Sequence, residues 1–386
     1  MMKIPLAKPY ISEEEVEAVA KVLRSGWLVQ GTRVAEFEKM VAERVSTEYA
    51  CATSSCTTAL HLALLVVGIG PGDKVIVPAF SFVATANAVE YTGAAPIFVD
   101  IDPLTFNIDW RQIERCLKQY PLIKAVMPVH LFGLAADMDH ITKIAWDWGL
   151  YIIEDAACSL GAIYKGKPVG VYGEIGCFSF HPRKSITTGE GGMAVTNDPR
   201  IASTINSLKD HGSAATSLDR HERQDTLMPG YDVLGYNYRM TDISGAIGVE
   251  QMKKLDYVIE QRTMRAKIYD RQLGGTECLL TPTVPEGCKH AYQAYVIQVR
   301  SPLSNQARNR IMGQLGERGI ATRQGTQAIH LLGYYQKKYG LKPEDYPCAL
   351  VADKLSIALP LYVQMTDLEQ EYVVDNLLEI TKKEAS

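Results

Sequence analysis

The sequence lacks several features that would place it in a common functional class. Its 386 residues carry 40 basic and 44 acidic side chains, a net charge of -4. No positive excess therefore exists to neutralise a nucleic-acid backbone. The longest apolar run, around 60–67, is far shorter than the roughly 20 residues that cross a bilayer. We predict no nucleic-acid partner and no membrane span.

The sequence also lacks the spacing of a disulfide framework or a metal site. Its eight cysteines are scattered, and no Cys-x-x-Cys pair occurs among them. This pattern favours reduced, buried thiols, and the histidines show no metal-ligand spacing either, so we predict no metal. The first residues lead into acidic 13–15 rather than into an apolar signal segment. We therefore expect a cytoplasmic protein.

What the sequence does contain is an alternation of helix and strand patterns. Apolar runs of strand length occur at 49–52, 74–77, 96–99, 125–129, 151–153, 177–180 and 193–195. Such runs, separated by helical segments, predict a mostly parallel sheet covered by helices on both faces.

The length and the C-terminal pattern predict a second unit. A single core rarely serves more than roughly 250 to 300 residues. Long helical patterns at 242–255 and 257–273 precede strand-like 279–282 and 295–299, and a closing helix is expected at 366–386. We predict an α/β fold with a large domain, 1–255, and a smaller C-terminal α+β domain, 256–386.

Polar side chains follow strand-like runs at two places. Asp155 comes directly after 151–153, and Lys184 comes shortly after 177–180. Ligands of open α/β sheets bind where such strands end. On position alone, Asp155 could equally cap the next segment, and an isolated lysine is usually a solvated surface residue. A Ser/Thr cluster at 54–58 could hold an anion or merely cap a helix.

Several motifs occur together in a fixed order. They are Glu154-Asp155-Ala156-Ala157, Ser179-Phe180-His181-x-x-Lys184 and Thr188-Gly189-Glu190-Gly191-Gly192, with 55–61, 78–85 and 235–240 elsewhere. This combination resembles the DegT/StrS-type aminotransferases of nucleotide sugars, and the likeness covers nearly the whole chain. The resemblance implies fold type I and the cofactor pyridoxal 5′-phosphate (PLP).

The resemblance implies a role for each matching residue around that cofactor. Lys184 would hold the cofactor aldehyde as a Schiff base and carry a proton, and Asp155 would keep the pyridine nitrogen protonated. The backbone at Cys56, the backbone and hydroxyl of Thr57, and the side chain of Ser179 would hold the phosphate. The family often has glycine where Cys56 stands.

Other matching positions surround the ring and the substrate. Phe82 would stack on the pyridine ring, although a core role is the alternative. Cys158 stands where the family often has glutamine or histidine near the ring oxygen, and a thiol bonds more weakly than an amide. His181 lies three residues before Lys184, and we expect it to line the site. The resemblance matches the segment 323–329, which leads to His330, to a substrate-facing stretch.

The segment 235–240 carries an implication about assembly. Asn237 and Arg239 match a loop that enters the partner subunit's site, where Asn237 would reach the phosphate and Arg239 the substrate. A homodimer with shared active sites follows from this match. The alternative is that Asn237 is an ordinary turn residue beside Gly235.

The implied activity moves an amino group from an amino acid, expected to be L-glutamate, to a nucleotide-linked keto-deoxysugar. The loop 184–190 resembles members that aminate C-4. One alternative is a PLP- or PMP-dependent dehydratase, but those relatives carry histidine in place of Lys184. A non-catalytic regulatory member would not need to retain Lys184 and Asp155 together. A nicotinamide-dependent dehydrogenase would require Gly-x-Gly-x-x-Gly, which is missing.

Overall fold

Helices and strands alternate through most of the chain. The computed structural model describes residues 2–214 and 229–385. The strands are β1 (Tyr49–Thr53), β2 (Lys74–Pro78), β3 (Phe80–Ser81), β4 (Ala95–Val99), β5 (Ile123–Val126), β6 (Tyr151–Asp155), β7 (Ile163–Tyr164), β8 (Lys167–Pro168), β9 (Ile175–Ser179), β10 (Gly192–Thr196), β11 (Leu279–Leu280), β12 (Cys288–Lys289), β13 (Tyr295–Val299), β14 (Gln327–Ala328) and β15 (Ser356–Leu359).

The α-helices of the described residues surround these strands. In chain order they are α1 (Glu13–Ser25), α2 (Thr32–Val45), α3 (Cys56–Val66), α4 (Ala84–Tyr91), α5 (Trp110–Gln119), α6 (Met138–Trp148), α7 (Pro199–Lys209), α8 (Asp242–Lys253), α9 (Leu255–Leu273), α10 (Asn305–Glu317), α11 (Gly333–Tyr339), α12 (Pro347–Leu355) and α13 (Asp367–Ala385). Short 3-10 helices occur at Leu131–Gly133, Ile329–Leu331 and Pro343–Asp345.

A seven-stranded sheet forms the centre of the large unit. Its order is β1-β10-β9-β6-β5-β2-β4. The pairs β9-β6, β6-β5, β5-β2 and β2-β4 are parallel, whereas β10 runs antiparallel to both of its neighbours. Each of these seven strands lies at a run predicted from the sequence. The structure therefore confirms the predicted α/β class with a mostly parallel sheet.

Helices bury both faces of this sheet, which explains why its strands are apolar throughout. Along β2, Val75 and Val77 belong to the core under α3 and α4, while Ile76 belongs to the core under α2, α5 and α6. All three side chains are fully buried. Successive strand residues point to opposite faces, so both alternating sets must be hydrophobic.

A third core holds the C-terminal part of the chain together. It combines α9, α10 and α13 with the three-stranded sheet β11-β13-β15. Ile4 also packs into this core and pairs with Ile320. The first residues thus lie on the C-terminal unit, and the division at 1–255 and 256–386 stays a prediction. None of the helices in the described residues combines the length and apolar character of a membrane span. A cytoplasmic location also stays a prediction.

Candidate active site

A cavity of about 360 Å³ opens where β6 and β9 end. Segments of the C-terminal unit form its opposite wall. Eight of the residues singled out in the sequence line it, namely Cys56, Thr57, Phe82, Asp155, Cys158, Ser179, His181 and Lys184. The parallel pairing of β6 with β9 brings the two central motifs together, because Asp155 is the register partner of Cys177.

Asp155 lies at the floor of the cavity and is 4% exposed. Its Oδ2 accepts a hydrogen bond from Thr85 Oγ1 at 2.8 Å, and its Oδ1 accepts one from the backbone N–H of Ala157 at 3.2 Å. Burial raises the pKa of Asp155, and these two hydrogen bonds oppose the shift. A carboxylate has about four acceptor positions. Asp155 therefore retains capacity for a cationic donor inside the cavity.

Lys184 approaches the same space from the loop after β9. Its Nζ donates to Cys158 Sγ at 3.1 Å. Burial by itself lowers the pKa of Lys184, but Cys158 and the more distant acidic groups raise it above the ordinary value. The loop is held from the C-terminal side, since Gln293 Nε2 donates to the backbone oxygen of Arg183 at 2.7 Å. Cys158 therefore positions the Lys184 amine, and Gln293 of the C-terminal unit holds the loop that carries Lys184.

The N-terminus of α3 supplies backbone donors to the cavity. Ser55 caps the helix, and its Oγ accepts from the N–H of Thr58 at 3.2 Å. The N–H groups of Cys56 and Thr57 lie in the first turn, where a helix has no internal partners for them. A Cβ on Gly192 would lie 2.4 Å from Cys56 N. Glycine is therefore required there for β10 to pass this turn, and the pairing of Gly192 with Ser179 places Ser179 beside it.

Phe82 and His181 both face the cavity. Phe82 is 58% exposed, whereas its neighbour Phe80 is fully buried, so the alternative that Phe82 is a core residue is wrong. His181 Nε2 lies 3.9 Å from Glu190 Oε1 at the mouth of the cavity. Burial lowers the pKa of His181, and the charge of Glu190 opposes that shift.

Three residues singled out in the sequence do not line the cavity. His330 is fully buried in the 3-10 helix Ile329–Leu331, with Nε2 3.3 Å from the backbone oxygen of Pro343. Its predicted contact with substrate is therefore wrong in this geometry. Asn237 pairs through its backbone with Asp210, and the Arg239 guanidinium forms an ion pair with Asp210. Neither side chain reaches the cavity of its own chain.

The structure adds cavity residues that the sequence reasoning missed. Arg183, Glu190, Gln293 and Arg323 line the mouth, and Thr85 supports Asp155 from behind. Arg183, Glu190 and Thr85 stand inside motifs that were recognised, so their position was an available signal. Arg323 begins the segment that was matched to a substrate-facing stretch, and it does line the cavity. Gln293 had no such signal, because its contact with the Lys184 loop joins distant parts of the chain.

Comparison with known proteins decides the family. The sequence model of the DegT/DnrJ/EryC1/StrS aminotransferase family matches residues 9–378. This chain belongs to that family. The chain is 37% identical over 380 residues to the spore coat polysaccharide biosynthesis protein SpsC of Bacillus subtilis, covering 98% of this chain and 97% of SpsC. It is 35% identical over 374 residues to the GDP-perosamine synthase of Caulobacter vibrioides, covering 96% of each.

A solved structure of a putative sugar aminotransferase has the same fold. The PMP form of Spr1654 from Streptococcus pneumoniae superposes with a TM-score of 0.92 at 28% identity, covering 99% of this chain and all of that one. A PLP form of the same protein has also been solved. This chain is therefore a PLP-dependent aminotransferase, and it has the fold of its structural relatives.

The cavity fits pyridoxal phosphate on its own features. It offers a buried carboxylate with spare acceptor capacity, a lysine amine nearby, and a helix N-terminus whose N–H groups suit an anion. These three chemical groups correspond to the cofactor's pyridine nitrogen, aldehyde and phosphate. The cavity residues of this chain can therefore accommodate pyridoxal phosphate.

Proposed function

We propose that this enzyme transfers the amino group of L-glutamate to C-4 of a nucleotide-linked keto-deoxysugar. The observation that carries the proposal is that Lys184 and Asp155 meet in one cavity whose mouth holds the cationic side chains of Arg183 and Arg323. The similarity to a GDP-perosamine synthase supports a nucleotide-linked sugar as acceptor.

We assign the cofactor ligands from the same geometry. Pyridoxal phosphate, when bound, supplies the electron sink for the carbanion that forms when a substrate proton leaves. Asp155 holds the pyridine nitrogen in its protonated form, and Lys184 carries the cofactor and moves the proton. The N–H groups of Cys56 and Thr57, the Thr57 hydroxyl and Ser179 hold the phosphate.

The remaining cavity residues orient the ring and the substrates. Phe82 covers one face of the pyridine ring, and Cys158 lies near its oxygen substituent. Burial and the neighbouring charge of Arg183 lower the pKa of Arg323, so the two guanidinium groups influence each other. An anionic substrate group between them relieves this repulsion. Both a glutamate carboxylate and a sugar-linked pyrophosphate have that charge, and His181 adds a donor at the same mouth.

The first prediction tests donor and acceptor separately. Mixing the PLP-loaded enzyme with L-glutamate alone should convert the cofactor spectrum to that of its amine form, because the first half-reaction needs no sugar. Adding nucleotide-linked 4-keto-6-deoxysugars should restore the original spectrum, and NMR of the product should place nitrogen at C-4.

Matched additions give this test its controls. L-Alanine and D-glutamate should convert the spectrum much more slowly, and 3-keto isomers should restore it poorly. Faster conversion by another amino acid would refute the donor assignment. Nitrogen found at C-3 of the product would refute the assignment of C-4 and would leave the assignment of L-glutamate as donor unaffected.

We further propose a homodimer in which Asn237 serves the partner's site. The segment around Asn237 is held firmly in its own chain, since the N–H of Ser54 donates to the backbone oxygen of Tyr238 at 2.8 Å. This contact places the segment just before the N-terminus of α3. Asn237 is exposed and does not line the cavity of its own chain, which supports a role across an interface. Arg239 would lie at the same interface, supported by Asp210.

The second prediction tests this shared site by complementation. A mixed dimer of a Lys184→Ala chain and an Asn237→Asp chain should recover activity, because one of its two sites would combine intact residues from both subunits. Each homodimer should be inactive. The Lys184→Ala homodimer lacks the amine that carries the cofactor, and in the Asn237→Asp homodimer the new carboxylate repels the phosphate dianion. The isolated heterodimer should reach about half of the wild-type specific activity.

A different pair of variants provides the control. Lys184 and Asp155 line the same cavity, so mixing Lys184→Ala with Asp155→Asn leaves one defect in every site. That heterodimer should stay inactive. Equal recovery in both mixtures, or none in the first despite verified heterodimers, would contradict sharing through Asn237.

A further inference from the structure

The thiol of Cys158 and the amine of Lys184 are in direct contact inside the cavity. Cys158 follows β6 and Lys184 follows β9, and these strands are hydrogen-bonded neighbours. Lys184 Nζ lies 3.1 Å from Cys158 Sγ, within hydrogen-bond distance. The cavity contains no side chain between them. A thiol and a primary amine are thus held together by two anchored loops.

Both groups are accessible to small reagents. Cys158 and Lys184 line the open cavity and are partly exposed. Lys184 Nζ donates its hydrogen bond directly to the Cys158 sulfur, so an amine stands beside that sulfur when an oxidant reaches it. Cys56 and Cys177 are buried, whereas Cys158 is partly exposed. Burial and the charge of Asp155 raise the pKa of Cys56 and of Cys177 well above the usual value. Oxidation is therefore directed to Cys158.

We propose that hydrogen peroxide links Cys158 to Lys184 by a reversible sulfur–nitrogen bond in the cofactor-free enzyme. The thiolate first attacks peroxide, the O–O bond breaks, and the ammonium of Lys184 supplies the proton that completes one water. Cys158 becomes a sulfenic acid and Lys184 a neutral amine. The amine then displaces the sulfenic oxygen as a second water, forming the S–N bond. Sulfur loses two electrons and peroxide gains them.

This link competes directly with cofactor loading. A Lys184 nitrogen bonded to sulfur cannot hold pyridoxal phosphate, and a Lys184 nitrogen already bonded to the cofactor cannot attack sulfur. A dithiol reductant breaks the S–N bond and regenerates both the thiol and the amine. The pair therefore protects the cofactor-free enzyme from further oxidation of Cys158 until reductant returns.

The third prediction is read by mass rather than by turnover. Full-length enzyme freed of cofactor, treated with hydrogen peroxide and digested without reductant, should yield two peptides joined through Cys158 and Lys184. Their mass should be the sum of the two peptides less two hydrogen atoms, and dithiothreitol should separate them. Added pyridoxal phosphate should give no bound-cofactor absorbance until that reduction.

Three controls make the outcome decisive. Cys158→Ser should prevent the link, Cys56→Ser in the same cavity should retain it, and prior loading with pyridoxal phosphate should suppress it. In wild-type enzyme, dimedone should trap the sulfenic acid and reduce the yield, which requires no variant. Cys158 oxidised to sulfinic acid with Lys184 unlinked, or an equal yield in loaded enzyme, would overturn the proposal. Neither result depends on the identity of the sugar.

Discussion

Replacing Lys184 by alanine should abolish transamination and remove the covalent attachment of the cofactor. The amine lies in the cavity beside Cys158 and within the electrostatic reach of Asp155. Loss of a positioned proton carrier alone costs about 10²- to 10⁴-fold, and loss of the covalent bond adds to this. Turnover with L-glutamate and the absorbance of the bound cofactor are the two measurements.

Two further experiments identify Lys184 rather than a lysine elsewhere. Borohydride reduction of the loaded enzyme followed by peptide mapping should place the pyridoxyl group on Lys184. Lys184→Arg should also be inactive, because a guanidinium stays protonated and forms no imine. Lys39→Ala, on the exposed face of α2, should behave as wild type. A pyridoxyl label on a different lysine would refute the assignment.

Replacing Asp155 by asparagine should leave the fold intact and lower kcat by about 10²-fold or more, the scale seen when one preorganised electrostatic group is removed from an active site. The amide occupies the same volume and can still accept the hydrogen bond from Thr85 Oγ1. It cannot carry the negative charge that we propose holds the pyridine nitrogen protonated. Steady-state turnover and the affinity for pyridoxal phosphate should both fall, with thermal unfolding as the test of folding.

Thr85→Val is the matched comparison for Asp155→Asn. Valine fills the buried space of Thr85 while the Asp155 carboxylate stays charged. The variant therefore loses the hydrogen bonds of Thr85 Oγ1 with Asp155 Oδ2 and with Ser81 Oγ, but it keeps the negative charge. Its effect on turnover should be much smaller. Near wild-type turnover of a folded Asp155→Asn enzyme would mean that another group serves the pyridine nitrogen.

The sequence predicts the central sheet well for a physical reason. Strands such as β2 and β6 are buried on both faces, so each leaves a continuous apolar run that needs no partner to be recognised. The two-residue strands β3 and β14 leave no such signal. They pair Phe80 with Ala328 and Ser81 with Gln327 across most of the chain. A pairing of that kind depends on tertiary packing.

The same distinction separates the site residues that were found from those that were not. Asp155 and Lys184 stand in local motifs beside predicted strands. Gln293 reaches the cavity only because the C-terminal unit packs against the large one, and no local motif marks it. Arg323 lines the cavity as the first residue of the segment that was matched to a substrate-facing stretch. His330 belonged to the segment expected to face substrate, but its ring packs against Tyr346. Spacing along a segment does not reveal which residue turns toward the cavity.

The two walls of the cavity have different origins, and this bears on how such enzymes diverge. Asp155 and Lys184 follow strands of the central sheet, whereas Arg323 pairs through its backbone with Ala358 in the C-terminal unit. A mutation at a second-wall residue such as Arg323 changes the shape of the cavity and leaves the hydrogen bonds of Asp155 with Thr85 and Ala157 in place. A lineage can therefore acquire new sugar acceptors by successive substitutions while each intermediate enzyme still binds its cofactor.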